Sequence, residues 1–236
     1  MKWLGLPPPP LATLILLALT AAAFQCAAQT STPPGTSPVL VELFTSEGCS
    51  SCPSADAVLA RLEKTPNAIV LAHHVDYWNS LGWPDPFSSA DATARQRLYG
   101  QSYTPEAVID GQDEMTGSRE AAVNDAVNTA SRRPHAKIEL TATPNGGGWD
   151  VTTTGPASVY LAVVQDRASV PVPRGENAGR TLDHVGIVRS LKKVTGKTTV
   201  TLPAPIAAPN GTTFSLVAFS QDDRHRVLGT TRVLLR

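Results

Sequence analysis

The sequence predicts two folded parts, an α/β domain over residues 38–134 and an all-β antiparallel sandwich over residues 135–236. Three observations carry this expectation. The apolar run Val39-Leu40-Val41-Glu42-Leu43-Phe44 leads into Gly48-Cys49-Ser50-Ser51-Cys52-Pro53, a Cys-x-x-Cys pair placed between a strand and a helix. Strand and helix periodicities then alternate as far as Arg133. After Pro134 the pattern becomes seven short strand-like runs separated by turn residues, with no helix among them.

Strand one is predicted over 38–44. A helix follows, with Ala55, Val58, Leu59 and Leu62 at helical spacing. Proline is tolerated only in a helix's first turn, so Pro53 sets the start near Ser50, with Cys49 at the mouth and Cys52 inside the first turn. Residues 68–74 form a second buried strand and complete a βαβ unit. The aromatic loop 77–87 follows. Ser88-Ser89 then cap a helix that runs to about Tyr99 and stops at Gly100. Residues 103–109, the turn Asp110-Gly111 and a short strand over 114–116 make a hairpin. Ser118 caps a last helix carrying Ala122, Val123, Ala126 and Val127, closed by Arg132-Arg133-Pro134. The sandwich strands are predicted over 137–143, 149–154, 158–165, 185–194, 198–202, 214–220 and 226–235, with turns at Pro144-Asn145-Gly146-Gly147 and Asn210-Gly211.

Composition narrows the function classes. The chain has 236 residues, zero formal net charge and 17% charged residues, with no basic stripe, which argues against nucleic acid as a partner. Residues 1–28 have the pattern of an export signal: Lys2, an apolar stretch over 11–23 and small residues near the cleavage region. The stretch is short for a membrane span and no second one follows, so an exported protein, periplasmic or secreted, with no stable span after signal removal is expected. Residues 29–37 read as a flexible leader. Cys26 is removed with the signal, or is lipidated, although Phe24 and Gln25 fit a lipidation site poorly. Removal leaves Cys49 and Cys52, whose bridge closes a loop too short to stabilise the fold much; redox chemistry accounts for the pair better than a staple does.

The order strand, Cys-x-x-Cys helix, strand, helix, Thr-Pro, hairpin, helix over 39–133 resembles thioredoxin-like domains. More narrowly, the chain resembles an exported bacterial family of uncharacterised thioredoxin-like proteins. The residues that carry this are His74-Val75-Asp76-Tyr77-Trp78, Leu81-Gly82-Trp83, Asp85-Pro86-Phe87 and Arg174-Gly175-Glu176-Asn177-Ala178-Gly179-Arg180. The resemblance implies a thioredoxin-like fold and thiol chemistry but no particular substrate.

Cys49 is the expected nucleophile, because amides at a helix mouth lower a thiol pKa from about 8.5 into the range of roughly 3.5–7.5. Cys52 is the expected resolving thiol, and Ser50 and Ser51 offer hydroxyls to the thiolate. The alternatives are a structural disulfide or half of a metal site. The resemblance implies a cis bond at Thr104-Pro105, facing the dithiol and pairing with a client strand; an ordinary strand-start proline is the alternative. It also implies a buried proton-moving acid at Glu42, although the spacing to Cys49 is one residue longer than in thioredoxins and a water-facing sheet-edge glutamate fits equally. Gly48 replaces the usual aromatic, which is expected to open the rim. His73 and His74 should point to opposite faces of their strand. A metal alternative joins Cys49, Cys52 and His74 around zinc or Cu(I). Trp78, Trp83 and Phe87 read as loop packing or as an aromatic rim for a client. The segment 174–184 reads as a hydrogen-bonded crossover or as a flap over the redox face.

The expected activity is thiol–disulfide exchange on thiol- or disulfide-containing exported proteins, with a redox partner recycling the dithiol and no organic cofactor. Direction depends on a reduction potential that spans about −270 to −120 mV among related proteins. The competing classes are a metal carrier and a partner-binding module on an inert scaffold.

Overall fold

Strands β1 (Val39–Thr45) and β2 (Ala68–His74) are parallel neighbours, in register from Val39 opposite Ala68 to Thr45 opposite His74. Helix α1 (Cys52–Leu62) makes the crossover between them. Every residue of both strands is buried, which is why both read as nearly continuous apolar runs. The stripe Ala55, Val58, Leu59 and Leu62 of α1 packs on Val39, Val41, Leu43, Val70 and Ala72. The helix begins at Cys52, two residues later than expected, with Pro53 in its first turn. A short 3-10 helix (Asn79–Leu81) and α2 (Ala90–Arg97) follow; the Ser89 side chain caps α2 by accepting the Ala92 N–H. The hairpin of β3 (Glu106–Ile109) and β4 (Asp113–Thr116) lies antiparallel to β1, and α3 (Glu120–Ala130) closes this part. The computed structural model describes Met1 and residues 37–236; the rest of the predicted signal, Cys26 and the leader up to residue 36 lie outside the described residues.

The predicted fold class, a thioredoxin-like α/β domain plus a separate antiparallel sandwich, is corrected by the remaining strands. These are β5 (Glu139–Pro144), β6 (Trp149–Thr154), β7 (Ser158–Val172), β8 (Arg180–Val194), β9 (Lys197–Val200), β10 (Phe214–Gln221) and β11 (Val227–Leu235). Strand β8 pairs parallel with β2 at Ala72 and Ile187. One mixed eight-stranded sheet results, in the order β11-β10-β7-β8-β2-β1-β3-β4, and only β5, β6 and β9 form a sheet of their own. Of the described residues 43% are strand and 16% helix, so this part is mostly β rather than a helix-rich domain beside a sandwich. The physical reason is the length of β7 and β8. Each runs 15 residues, and the polar stretches around Arg167 and Arg180–His184 that hid this continue the ladder to Val172 and Arg180. The pair joins the edge of β2 through β8 at Ala72 and Ile187.

The sheet then curves. A bulge between Val163 and Val164 leaves Arg189 unpaired opposite β7 and sharpens the twist. Gly186 has φ +64°, and a Cβ there would lie 2.7 Å from the Val70 carbonyl oxygen, so only glycine brings β8 this close to β2. Curvature lets Leu40, Ile69 and Leu71 pack on Ala162, Val164, Val217, Phe219 and Val227, which belong to strands distant in sheet order. The three-stranded sheet covers the other side of this region, with Val151 and Val200 against Leu161, Val163, Leu216 and Ala218. Among the described residues no helix is long and apolar enough to cross a membrane.

Candidate dithiol site

Cys49 and Cys52 form a disulfide in the turn that enters α1, and both are buried. The turn is closed by the Cys49 N–H donating to the Ser46 carbonyl (3.1 Å) and the Cys52 N–H donating to that of Cys49 (3.2 Å). No acidic residue occupies the first turn of α1, and Ser51 precedes the helix without capping it through its side chain. The Ser51 hydroxyl instead lies 3.3 Å from Cys49 Sγ. The first turn of α1 therefore carries no acid of its own to oppose negative charge on Cys49 when the bond opens.

Trp78 links this turn to Thr104-Pro105. A Cβ added to Gly48 would sit 3.0 Å from Trp78 Cβ, and the indole N–H of Trp78 donates to Thr104 Oγ1 at 2.9 Å. The Thr104-Pro105 bond is cis. Gly48 thus does not leave the rim open, as the sequence suggested; the missing side chain is replaced by Trp78. Tyr77, Leu81 and Tyr103 are exposed around this face.

The segment 174–180 covers the turn from the other side. Glu176 Oε2 accepts the Ser50 N–H at 3.0 Å. The buried Asn177 donates through Nδ2 to the carbonyls of Glu47 (2.8 Å) and Cys49 (3.0 Å). Gly175 packs near Gly82 and Trp83. The segment is the hydrogen-bonded connection between β7 and β8, and these bonds set it against the dithiol turn.

Beneath the turn lies a buried polar cluster that the sequence did not single out as a unit. Glu47 accepts the Trp83 indole N–H at 2.6 Å and lies 3.2 Å from His184 Nε2. Asp56, one helical turn beyond Cys52, accepts the Thr45 hydroxyl at 3.0 Å and lies 3.9 Å from His184 Nδ1. His74 Nδ1 is 2.7 Å from Asp85 Oδ2, and the His74 and His184 rings meet edge-on at 4.9 Å. Burial pushes the Asp56 carboxyl above its ordinary value, against the pull of His184 and His74. Burial alone would lower His74, but Asp85, with Asp56 and Glu47, raises it. Burial opposes ionisation of Asp85 too, yet His74 and the Glu47 and Phe87 amides hold it low, so each partner of the His74–Asp85 pair favours the charged form of the other. Asp56 could have been found from its place in the buried stripe of α1. His184 could not, because it arrives with β8.

Glu42 is placed elsewhere. Along β1 the residues alternate, so Thr45 faces α1 while Glu42 and Phe44 face away. Glu42 is fully buried, receives both Arg95 Nε and a terminal nitrogen of Arg95 at 2.9 Å and the Tyr99 hydroxyl at 2.6 Å, and lies 3.0 Å from His73 Nε2. Burial would raise this carboxyl, but Arg95 and His73 hold it well below the usual carboxylate range. His73 and His74 point to opposite faces, as expected, and His73 goes with Glu42. Among the described residues no group of three or more His, Cys, Asp or Glu is arranged to hold a metal ion, and His74 is turned to Asp85 rather than joined in such a group with the cysteines.

Fold and site together define a mixed-sheet protein with a disulfide at a helix mouth, covered by the connection between two long strands. The chain belongs to the DUF1223 family, described as proteins of unknown function, whose profile matches residues 40–221 and so includes the dithiol, the polar cluster and the covering segment. A crystal structure of a protein from Agrobacterium tumefaciens is 26% identical, with a TM-score of 0.63 over 83% of this chain and 93% of that one. HBP35 of Porphyromonas gingivalis shares the fold at 13% identity, with a TM-score of 0.62 over 85% of this chain and 76% of that chain. No curated protein matches the chain.

Proposed function

We propose that the protein carries out thiol–disulfide exchange on exported proteins through Cys49 and Cys52, with the chemistry of thioredoxin-like proteins. The observation that carries this is the Cys49–Cys52 disulfide at the mouth of α1, directly above buried titratable groups. A four-residue bridge adds little stability, which leaves such placement without a structural purpose.

In the oxidising direction a client thiolate attacks Cys49 Sγ. The Cys49–Cys52 bond breaks and its electron pair leaves on Cys52, which takes a proton. A second client thiolate attacks the mixed disulfide and releases Cys49 as a thiolate. The client loses two electrons and the dithiol gains them; a redox partner takes them away again. The reverse sequence reduces a client disulfide. Ser51 is positioned to donate to the Cys49 thiolate. Asp56, held protonated to higher pH by burial and one turn beyond Cys52, is the proton donor and acceptor for the resolving thiol.

Insulin reduction by dithiothreitol tests this. The protein should accelerate it, Cys49→Ala should abolish the acceleration, and Asp56→Asn should slow it. No acceleration by the intact protein, with insulin or a second disulfide client, would overturn the proposal.

A further inference from the structure

We propose that Glu176 makes the 174–180 strap a lid that closes over the oxidised dithiol and lifts when the dithiol is reduced; this deepens the exchange chemistry proposed above and rests on it. Cys49 is only 1% exposed, so no protein client reaches its sulfur while the strap is down. The strap holds the turn at two points. Asn177 grips the carbonyls of Glu47 and Cys49, and Glu176 holds the Ser50 amide, the residue after the nucleophile.

These two contacts respond differently to reduction. The Asn177 bonds involve neutral groups and do not change with the sulfur chemistry. Glu176 is an exposed carboxylate that forms no ion pair among the described residues; the Ser50 hydroxyl and amide hold its carboxyl below the ordinary value. It occupies the positive pole of α1, where no other acid lies in the first turn. Opening the disulfide with two electrons and two protons, then ionising Cys49, puts a second anion at the same pole. Thiolate and carboxylate then both lie at the mouth of α1 and repel one another.

The strap is built to move. Gly175 and Gly179 flank Glu176 and both have φ +79°, conformations that glycine leaves and re-enters at little cost. Between them the backbone is held by single bonds: Ala178 N–H to Gly175 O, Gly179 N–H to Val172 O and Arg180 N–H to Asn177 O. Glu176 therefore acts as a positioning residue that also keeps Cys49 less acidic than an unopposed helix mouth would.

Hydrogen exchange of residues 172–182 at pH 8, followed by mass spectrometry in the oxidised protein and under a phosphine reductant, tests the lid. Reduction should speed exchange of the Ala178, Gly179 and Arg180 amides about fivefold, the size of one screened charge contact. In Glu176→Gln the redox difference should collapse, and the Cys49 thiolate, read by its ultraviolet absorbance, should form at lower pH. In Cys49→Ser the strap should stay closed under reductant. Equal exchange in both redox states of the intact protein, or a full redox difference retained in Glu176→Gln, would overturn the lid. Exchange of strap amides is read without a client, so a strap that responds in a protein that fails to reduce insulin would refute the catalytic proposal and leave the lid standing.

Discussion

Asn177 Nδ2 lies 3.0 Å from the carbonyl oxygen of Cys49, a contact across 128 residues of sequence that joins the β7–β8 connection to the dithiol turn. The same nitrogen serves the Glu47 carbonyl, and the side chain is fully buried. Arg180 donates to its remaining oxygen at 2.8 Å. Asn177→Ala leaves the Glu47 carbonyl without this donor and the Cys49 carbonyl with the Cys52 N–H alone, and should cost about 1–3 kcal/mol in urea unfolding of the oxidised protein. It should also speed alkylation of Cys49 in the reduced protein, since the strap loses its redox-independent hold. Unchanged stability together with unchanged alkylation would show that the strap does not hold the turn.

Arg95 decides what Glu42 is for. The guanidinium donates to Glu42 twice and to Gln221 Oε1 at 2.8 Å, and lies over the rings of Tyr99, Tyr160 and Phe219. It thereby ties α2 to β1 and β10. Arg95→Ala strands a buried carboxylate and should destabilise the protein by about 3–5 kcal/mol. Insulin reduction by the molecules that remain folded should be unchanged, because the pair faces away from α1. A loss of exchange at full folding would return Glu42 to the chemistry.

Glu106 gives a pH signature. It follows Pro105, is buried, and binds Gln96 Nε2 at 2.7 Å through Oε2, while Oε1 has no partner. Burial raises its pKa, the Gln96 bond opposes this, and the charges of Glu114 and Glu42 add to the rise, giving about 7 against an ordinary 4.5. The folded state therefore holds this proton to higher pH than the unfolded chain. Its contribution to stability is greatest below pH 4.5, falls as pH rises from 4.5 to about 7, and is level above that. Glu106→Gln should remove this slope, so the variant should gain on the native protein between pH 5 and pH 7.5 in urea titrations. An equal stability difference at both pH values would place the carboxyl in solvent.

Much of the local structure was legible. Pro53 marked the first turn of α1, the apolar runs gave β1 and β2, and of the seven later strands all but β7 and β8, which run longer, fall close to their predicted positions. Partnership was not legible. The β2–β8 junction is a single residue pair, Ala72 with Ile187, made possible by Gly186, and no periodicity encodes it. That junction carries His184 and the strap to the dithiol, so the polar cluster and its cover stayed hidden with it. Glu42 was within reach: Val41 and Leu43 pack on α1, and the two-residue period of a strand then sends Glu42 to the other face. The same reasoning on α1 puts Asp56 beside Cys52, because residues four apart share a helix face.

The most direct test of exchange at Cys49 is capture of its mixed disulfide. Cys52→Ala incubated with oxidised insulin should form a covalent adduct through Cys49, identified by mass spectrometry of the joined peptides and released by dithiothreitol. Cys49→Ala should form little adduct through Cys52, which is buried at the first position of α1. An absence of adduct in Cys52→Ala, or equal capture by either cysteine, would contradict Cys49 as the exchanging sulfur.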